Sequence, residues 1–140
     1  MDQQLILQPV AVMFLLTAAV WAYMYARRLP FILRNGIDPQ SIASPELLNA
    51  RLPAPINQAS NNLKNLFELP VVFYALCVLL VVAARVDTLY LQAAWVFVGL
   101  RAAHSLVHCT VNIVNLRFTA YFLSSLVLWF MVGRFALTVL

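Results

Sequence analysis

Residues 66–84 read LFELPVVFYALCVLLVVAA, and this stretch decides the fold class. About 20 apolar residues in helical form are needed to cross the hydrocarbon core of a bilayer, and this run is nearly that long. Its apolar residues are continuous, whereas the strands of an outer-membrane barrel alternate with period two. The stretch therefore predicts a transmembrane helix, and polar sequence from about residue 57 is expected to form the start of the same helix.

Three further apolar stretches surround this one, at residues 5–26, 88–112 and 118–140. Of the 140 residues 64% are hydrophobic and only 10% are charged, which is not the composition of a small soluble domain. The first stretch lacks the basic segment that opens a secretory signal, so it is interpreted as a retained span. The sequence predicts one domain, an all-α membrane protein folded as an up-down bundle of four transmembrane helices. We expect helices at about 5–26, 57–84, 88–112 and 116–138, with a loop at about 27–56.

The expected loop holds five of the seven prolines. Within it, Ser44-Pro45-Glu46 has the features of a helix start, with a capping serine, proline at the first position and an acid near the positive end of the helix dipole. A short surface helix through Leu52 is predicted there. Pro70 falls inside the second span and is expected to free a backbone carbonyl and kink the helix.

The placement of the basic residues predicts the orientation, because Lys and Arg in short loops are retained on the cytoplasmic side. The net charge is +4, and four arginines (Arg27, Arg28, Arg34 and Arg51) belong to the first loop. Arg85 and Asp87 in the next turn nearly cancel. We expect the first loop to be cytoplasmic and both termini to lie on the other side. Sparse positive charge beside a membrane does not indicate nucleic-acid binding.

Polar side chains inside the spans are the candidate functional residues, because hydrocarbon excludes ionisable groups unless they are paired or face water. Helical spacing places them on shared faces. One face of the third span carries Arg101, His104, His108 and Asn112, and one face of the second carries Asn61, Asn65 and Glu68. With about 1.5 Å of rise per residue, Glu68 and Arg101 lie at a similar depth. We therefore hypothesise a buried ion pair between Glu68 and Arg101.

Two interpretations of these residues stay open. Polar side chains also join helices in membranes without any catalysis. His104 and His108 have no acid or cysteine on their face, so a metal site is not predicted. Arg117, with Tyr121 one turn later, puts a cation and a phenol at the membrane boundary within reach of an anionic ligand, although an arginine there can also simply extend to the headgroups.

Two motifs resemble those of the MAPEG family, the membrane-associated proteins of eicosanoid and glutathione metabolism. Asn65-Leu66-Phe67-Glu68-Leu69-Pro70 is similar to the family's Asn-x-x-Glu-x-Pro on helix two. Arg101-Ala102-Ala103-His104, followed by Arg117 and Tyr121, is similar to the Arg-x-x-His and Arg-x-x-x-Tyr of the prostaglandin synthase branch. With four predicted spans, the likeness covers essentially the whole chain, and its overall character is that of the bacterial branch. The resemblance implies a multi-pass protein of a bacterial inner membrane.

The resemblance also implies a homotrimer that binds glutathione between neighbouring subunits near the cytoplasmic face. Arg117 would stabilise the thiolate, and Tyr121 would stack or hydrogen-bond nearby, so these two are the expected catalytic residues. Arg27 or Arg28 would meet a glutathione carboxylate. The full set of expected ligand-binding residues is Arg27, Arg28, Asn65, Glu68, His104, His108, Arg117 and Tyr121. The partners would be membrane lipids and a lipophilic small-molecule substrate.

Three positions depart from the glutathione-using members. Asn61 stands where an arginine is usual, His108 stands where the prostaglandin synthase branch has tyrosine, and Phe118 replaces a serine. Two functions are therefore carried forward. One is a glutathione-dependent transferase or peroxidase acting on lipophilic electrophiles, and the alternative is a non-catalytic membrane protein that binds lipid or another small ligand. A small transporter is a third and more remote possibility.

Overall fold

The structure, a computed structural model, describes residues 2–140, and all regular secondary structure in that range is helical. Two short 3-10 turns, Gln3–Ile6 and Pro39–Ile42, accompany the α-helices. The helices are α1 (Leu7–Arg34), α2 (Pro45–Arg51), α3 (Ala54–Leu66), α4 (Leu69–Val82), α5 (Thr88–Cys109) and α6 (Val114–Val139).

The first helix is longer than the sequence pattern predicted, since α1 continues through Pro30 to Arg34 where an end near residue 26 was expected. The apolar residues after Pro30 extend the helix by two turns, and it ends where Gly36 adopts a left-handed conformation with φ of 57°. There the amide of Ile37 donates to the carbonyl of Ile32 at 3.1 Å. Glycine adopts this conformation without steric cost, so Gly36 was the stop signal in the sequence.

The helix start at Ser44 is confirmed. The Ser44 side chain accepts a hydrogen bond from the amide of Leu47 at 3.3 Å, Pro45 opens the first turn, and Glu46 follows it. A hydrogen bond from the Glu46 backbone amide and a weaker effect of the Ser44 hydroxyl lower the pKa of the exposed Glu46 carboxyl, because both stabilise its charged form. Helix α2 ends at Arg51, and the buried side chain of Leu52 follows it.

The predicted disturbance at Pro70 is also confirmed. Helix α3 ends at Leu66 and α4 begins at Leu69, with Pro70 in its first turn. Between them, Glu68 has φ of −96° and ψ of −107°, outside the helical region. Because proline cannot donate a backbone hydrogen bond and clashes with the preceding turn, the second span consists of two helices joined by a break.

The helices pack around one apolar core. Helix α1 packs along α3, and α5 packs along α6. Phe73 of α4 and Phe97 of α5 are fully buried and stacked, with ring centroids 4.5 Å apart. Met13, Leu128 and Met131 are fully buried in the same cluster. Many large apolar side chains, such as Leu15 and Trp21, instead face outward, as expected for helices surrounded by lipid.

Three helical segments are long and apolar enough to cross a membrane: Gln3–Arg34, Ala54–Val82 and Val114–Val139. Helix α5 does not reach that hydropathy, because Gln92, Arg101, His104 and His108 interrupt its apolar sequence. The last three of these side chains are buried within the chain. Three apolar helices suit a multi-pass membrane protein, and a crossing by α5 stays a prediction.

The turn between α4 and α5 is stabilised by several polar contacts. The Asp87 carboxylate accepts two hydrogen bonds from Arg134, at 2.9 and 2.5 Å, and a third from the amide of Tyr90. The Arg134 guanidinium also lies 4.3 Å from the centre of the Tyr90 ring. These hydrogen bonds, chiefly those from Arg134, lower the pKa of the Asp87 carboxyl to about 2. The Gln3 side chain adds hydrogen bonds to both backbone groups of Val86.

Candidate functional site

The helix break before Pro70 is contacted by Arg101 of α5. The Arg101 side chain is fully buried, and its Nη2 donates to the backbone carbonyl of Asn65 at 2.8 Å. This carbonyl lies in the last turn of α3, where carbonyls lack helical partners and the helix dipole is negative. Arg101 therefore caps α3 from a neighbouring helix, and its Nε and Nη1 atoms have no partner within residues 2–140.

The hypothesis of an ion pair between Glu68 and Arg101 is wrong. Glu68 is exposed in the single chain, and the pair between Asp87 and Arg134 is the one salt bridge found within residues 2–140. The break in the helix explains the error: the spacing argument assumed a continuous helix through residue 68, but the backbone of Glu68 is not helical. The broken helix instead presents the Asn65 carbonyl to Arg101.

Asn62 joins α3 to α5 one turn from this break. It is fully buried, its Oδ1 accepts from the hydroxyl of Ser105 at 3.3 Å, and its Nδ2 lies 3.5 Å from the Cys109 sulfur. These contacts give every polar side-chain atom of the buried pair a partner. Asn62 and Ser105 therefore act as interhelical contacts and are not available to a ligand.

His104 connects α5 to α6. Its Nδ1 lies 2.8 Å from the backbone carbonyl of Arg117, and because a carbonyl can only accept, Nδ1 carries the proton. Its Nε2 then holds a lone pair that is buried without a partner in the described chain. The Tyr121 ring lies 5.8 Å from the His104 ring and 5.2 Å from the Arg101 guanidinium. Tyr121 thus packs over both side chains.

The turn between α5 and α6 positions Arg117. Asn112 adopts a left-handed conformation with φ of 49°, and its amide donates to the carbonyl of Val107 at 2.7 Å, which ends α5. Asparagine is one of the few residues other than glycine that tolerate this conformation. Its side-chain oxygen accepts a hydrogen bond from Arg117 Nη1 at 2.6 Å. One residue therefore both closes the helix and holds the arginine.

Arg117 lines a polar cavity of about 400 Å³ at this end of the bundle. The cavity lies between α2, α3 and the ends of α5 and α6. His108 and Asn57 are among its walls, and the Nδ1 of His108 and the Oδ1 of Asn57 are buried without partners in the described chain. The lining residues are Asn49, Leu52, Ala54, Asn57, Gln58, Asn61, His108, Asn112 and Arg117.

The expected site residues fall into three groups. His104, His108, Arg117 and Tyr121 come together at the α5–α6 end, although only His108 and Arg117 line the polar cavity. Asn65 contributes its backbone carbonyl to Arg101, and the exposed Glu68 forms no ion pair in the described chain.

The third group, Arg27 and Arg28, lies on α1 and does not line this cavity. Arg27 is exposed and lies 5.9 Å from the Tyr23 ring. Arg28 is half-buried, and its Nε and Nη2 have no partner in the described part of the chain. The single chain therefore leaves both arginines apart from Arg117.

Sequence reasoning missed Asn57. Its Nδ2 donates to the carbonyls of Asn49 and Leu52, so it holds α2 against α3 across Pro53. A signal was present, because Asn57, Asn61 and Asn65 follow one another at intervals of four and so share a helix face. The polar face of α3 begins one turn earlier than the motif residues indicated.

Comparison with known proteins agrees with the motif resemblance. The sequence profile described as the MAPEG family matches residues 6–137, almost the whole chain. Searches of curated proteins and of solved structures gave no match. The matched range contains nearly all of each apolar span and the complete polar cavity. On this match, the chain belongs to the MAPEG family.

Proposed function

We propose that the protein is a glutathione-dependent transferase or peroxidase that acts on lipophilic electrophiles. The observation that carries the proposal is the cavity of about 400 Å³ in which Arg117 is held by Asn112 beside His108. Ligand sites are typically clefts of a few hundred Å³ with a small number of placed polar groups. This cavity has that size and those groups.

The residues of the cavity suit a thiol peptide. A free thiol has a pKa near 8.5, and an adjacent guanidinium favours the thiolate. The thiolate sulfur would attack an electrophilic carbon, the leaving group would depart with the bonding electrons, and the thiol proton would pass to solvent. Arg117 is the assigned thiolate-stabilising residue. The amide groups of Asn57, Gln58 and Asn61 match the amides of a peptide backbone.

Tyr121 and His104 support this arrangement from outside the cavity. His104 holds the backbone of Arg117, and Tyr121 packs over His104 and Arg101. We therefore assign both as positioning residues, and we assign His108 to direct contact with the ligand because it lines the cavity. This changes the expected catalytic role of Tyr121 to an indirect one.

The remaining expected ligand-binding residues require a neighbouring subunit. Arg27 and Glu68 are exposed in the single chain, and the side chains of Asn65 and Arg28 do not line the polar cavity. A homotrimer with ligand between its subunits would let Asn65, Glu68 and one of the two arginines of α1 contact glutathione held at a neighbour's Arg117. Chemical cross-linking in the membrane tests this assembly, and a ladder that ends at a dimer would contradict it.

The proposed topology has α5 as a fourth span, a cytoplasmic first loop and both termini on the opposite side, in a bacterial inner membrane. It is supported by the four arginines between residues 27 and 51, at the end of α1 and in α2, and by the burial of the polar residues of α5 within the chain. A reporter that is active only in the cytoplasm should be inactive when fused after Leu140. An active C-terminal fusion would contradict the four-span topology.

Binding and turnover test the proposed activity together. The purified protein in detergent is titrated calorimetrically with glutathione, thiolate is followed by ultraviolet absorbance, and conjugation is measured with a chromogenic aryl halide. Arg117→Ala is expected to abolish the thiolate signal. Arg85→Ala is the matched control, because Arg85 is exposed at the other end of α5. No heat and no turnover in the parent protein would overturn the enzyme proposal.

The alternative, a non-catalytic protein that binds lipid or another ligand, is favoured by one observation. Asn62, Arg101, His104 and Ser105 are used for contacts between helices, and neither Lys64 nor the Asn65 side chain reaches the polar cavity. Under this alternative the titration gives no glutathione heat, and Arg117→Ala behaves like the parent protein in every thiol assay.

A further inference from the structure

A second cavity, of about 530 Å³, lies where the last two turns of α1 meet the start of α3. It shares no lining residue with the polar cavity at Arg117. Two arginines, Arg27 and Arg34, line it together with the apolar side chains of Pro30, Phe31 and Ile56. Two cations beside apolar side chains suit a ligand that is anionic at one end and apolar at the other.

The spacing of these residues places both guanidinium groups on one side of α1. Arg27, Phe31 and Arg34 are separated by four and three residues, which is the spacing of a single helix face. Both arginines are exposed. Neither belongs to the salt bridge between Asp87 and Arg134, the one found within the described chain. Their charges therefore have no counter-ion within residues 2–140.

Nearby polar groups do not consume these charges. The Asn35 side chain caps the end of α1 by donating to the carbonyl of Phe31 at 2.8 Å, so Arg34 is not needed for that purpose. Asp38, the closest acid along the chain, accepts a hydrogen bond from the amide of Gln40. Arg27 has one aromatic contact, with Tyr23. The cavity thus keeps a net charge that attracts an anion.

The depth of the cavity identifies the kind of anion. Residues 7–26 of α1 already span about 30 Å, which is the thickness of the hydrocarbon core. The last two turns, from Arg27 to Arg34, then lie at the level of the lipid headgroups. Basic pockets between helices at this level bind anionic headgroups, and each nearby cation contributes about 1 kcal/mol.

We propose that Arg27 and Arg34 bind the phosphate of an anionic membrane phospholipid, with the glycerol against Phe31 and the acyl chains along the exposed Leu29 and Leu33. This site is separate from the proposed thiol site. It assigns Arg27 to lipid and leaves Arg28, whose Nε and Nη2 lack partners in the described chain, as the α1 arginine available for other ligands.

The test measures lipid binding to the purified protein by native mass spectrometry. Phosphatidylglycerol is compared with phosphatidylcholine, first for the parent protein and then for the double variant Arg27→Gln/Arg34→Gln. Loss of two contacts is expected to weaken phosphatidylglycerol binding roughly thirtyfold. Phosphatidylcholine binding is expected to be weak in both proteins. The thermal unfolding midpoint of each protein is recorded with both lipids.

The matched control is Arg51→Gln/Arg85→Gln, which removes the same net charge from two exposed arginines that do not line the cavity. In this control, phosphatidylglycerol binding is expected to weaken far less than in Arg27→Gln/Arg34→Gln, because the removed charges lie away from the cavity. Equal losses in the two double variants would overturn the site, as would equal binding of the two lipids. Inorganic phosphate that competes fully with phosphatidylglycerol would assign the site to a soluble phosphate compound and overturn the lipid proposal.

Discussion

The two turns that flank α5 each contain one residue with left-handed backbone, but their polar side chains make different contacts. Ala84 before α5 and Asn112 after it both adopt left-handed conformations, with φ of 52° and 49°. At the first turn, Arg134 donates hydrogen bonds to the Asp87 carboxylate, and the Gln3 side chain bonds the backbone of Val86. At the second, Asn112 holds Arg117 at the wall of a cavity, and Asn57 and His108 in the same wall each have a buried polar atom without a partner in the described chain.

This difference separates a structural end of the bundle from the end at which we propose that ligand binds. Buried polar atoms without partners cost free energy, so a fold keeps them where something else supplies the partner. At the α4–α5 turn Asp87 and Arg134 pair with each other. At the α5–α6 turn the protein leaves a guanidinium and an imidazole facing a cavity, which is the arrangement that a ligand can complete.

The largest expected effect contrasts the two arginines of α6. Arg117→Ala should reduce glutathione conjugation about a hundredfold, as loss of one electrostatic group at a reacting centre typically does, with little change in unfolding temperature. Arg134→Ala should lower the unfolding temperature and leave turnover per folded protein unchanged. Steady-state kinetics and thermal unfolding in detergent measure both. The comparison fails if Arg134→Ala loses activity to the same degree.

The next effect concerns Asn112. Asn112→Gly keeps the left-handed backbone that ends α5 but removes the oxygen that holds Arg117 at 2.6 Å. We expect the variant to fold and to lose roughly tenfold in turnover, since one charge-assisted hydrogen bond contributes about 1.5 kcal/mol or more. Asn112→Ala would confound the test by adding backbone strain. Unchanged turnover in Asn112→Gly would show that Arg117 needs no support from this side chain.

A smaller effect is expected at Asp87. Its pKa is lowered to about 2, so its charged form stabilises the fold above the unfolded-state pKa near 3.8, and this contribution is lost as pH falls toward 2. Asp87→Asn keeps a cap for α5 but loses the charge. Because the pair is half-exposed, the parent should exceed the variant in stability by about 1 kcal/mol or less at neutral pH.

Chemical denaturation of both proteins between pH 7 and pH 2 checks this prediction. The difference between parent and variant should be constant at neutral pH and should shrink between about pH 4 and pH 2. A difference that stays the same down to pH 2 would show that ionisation of Asp87 is not its source.

The smallest expected effect is a gain in stability, at Ala84, whereas the other variants lose activity or stability. Ala84 has no side-chain partner that requires its left-handed backbone, and glycine adopts that conformation without steric cost. Ala84→Gly should therefore stabilise the protein by about 0.5 kcal/mol, after the entropy that glycine loses on folding is subtracted. Thermal unfolding measures it, and activity should not change. A destabilised variant would mean that the Ala84 methyl group makes a contact that outweighs the strain.

Several parts of the fold could be predicted because their causes are local. The apolar runs predicted the helices, Ser44-Pro45-Glu46 predicted the start of α2, and Pro70 predicted the break in the second span. Which backbone and side-chain groups the break turns toward Arg101 could not be predicted. Spacing along an ideal helix put Glu68 opposite Arg101, whereas the real backbone turned Glu68 outward and offered the Asn65 carbonyl in its place.

The candidate site was predicted in composition but not in arrangement. His104, His108, Arg117 and Tyr121 do come together, because helical spacing on α5 and the short turn to α6 bring them there. Which of them face the cavity depends on how α2 and α3 pack against these helices. That packing gave the cavity walls that include Asn49 and Asn57, two residues that no motif singled out as ligands.

The sequence by itself determined the membrane character, the helical class and the family, since these follow from the number of consecutive apolar residues and from short motifs along the chain. Only the tertiary structure decided how the charges are used: Arg101 at a helix end, Asp87 with Arg134, and Arg117 at a cavity. The physical reason is that a charged side chain pairs with the polar group that packing brings beside it. For Arg101 and Asp87 that partner comes from a segment 36 or 47 residues away, whose position one-dimensional spacing does not encode.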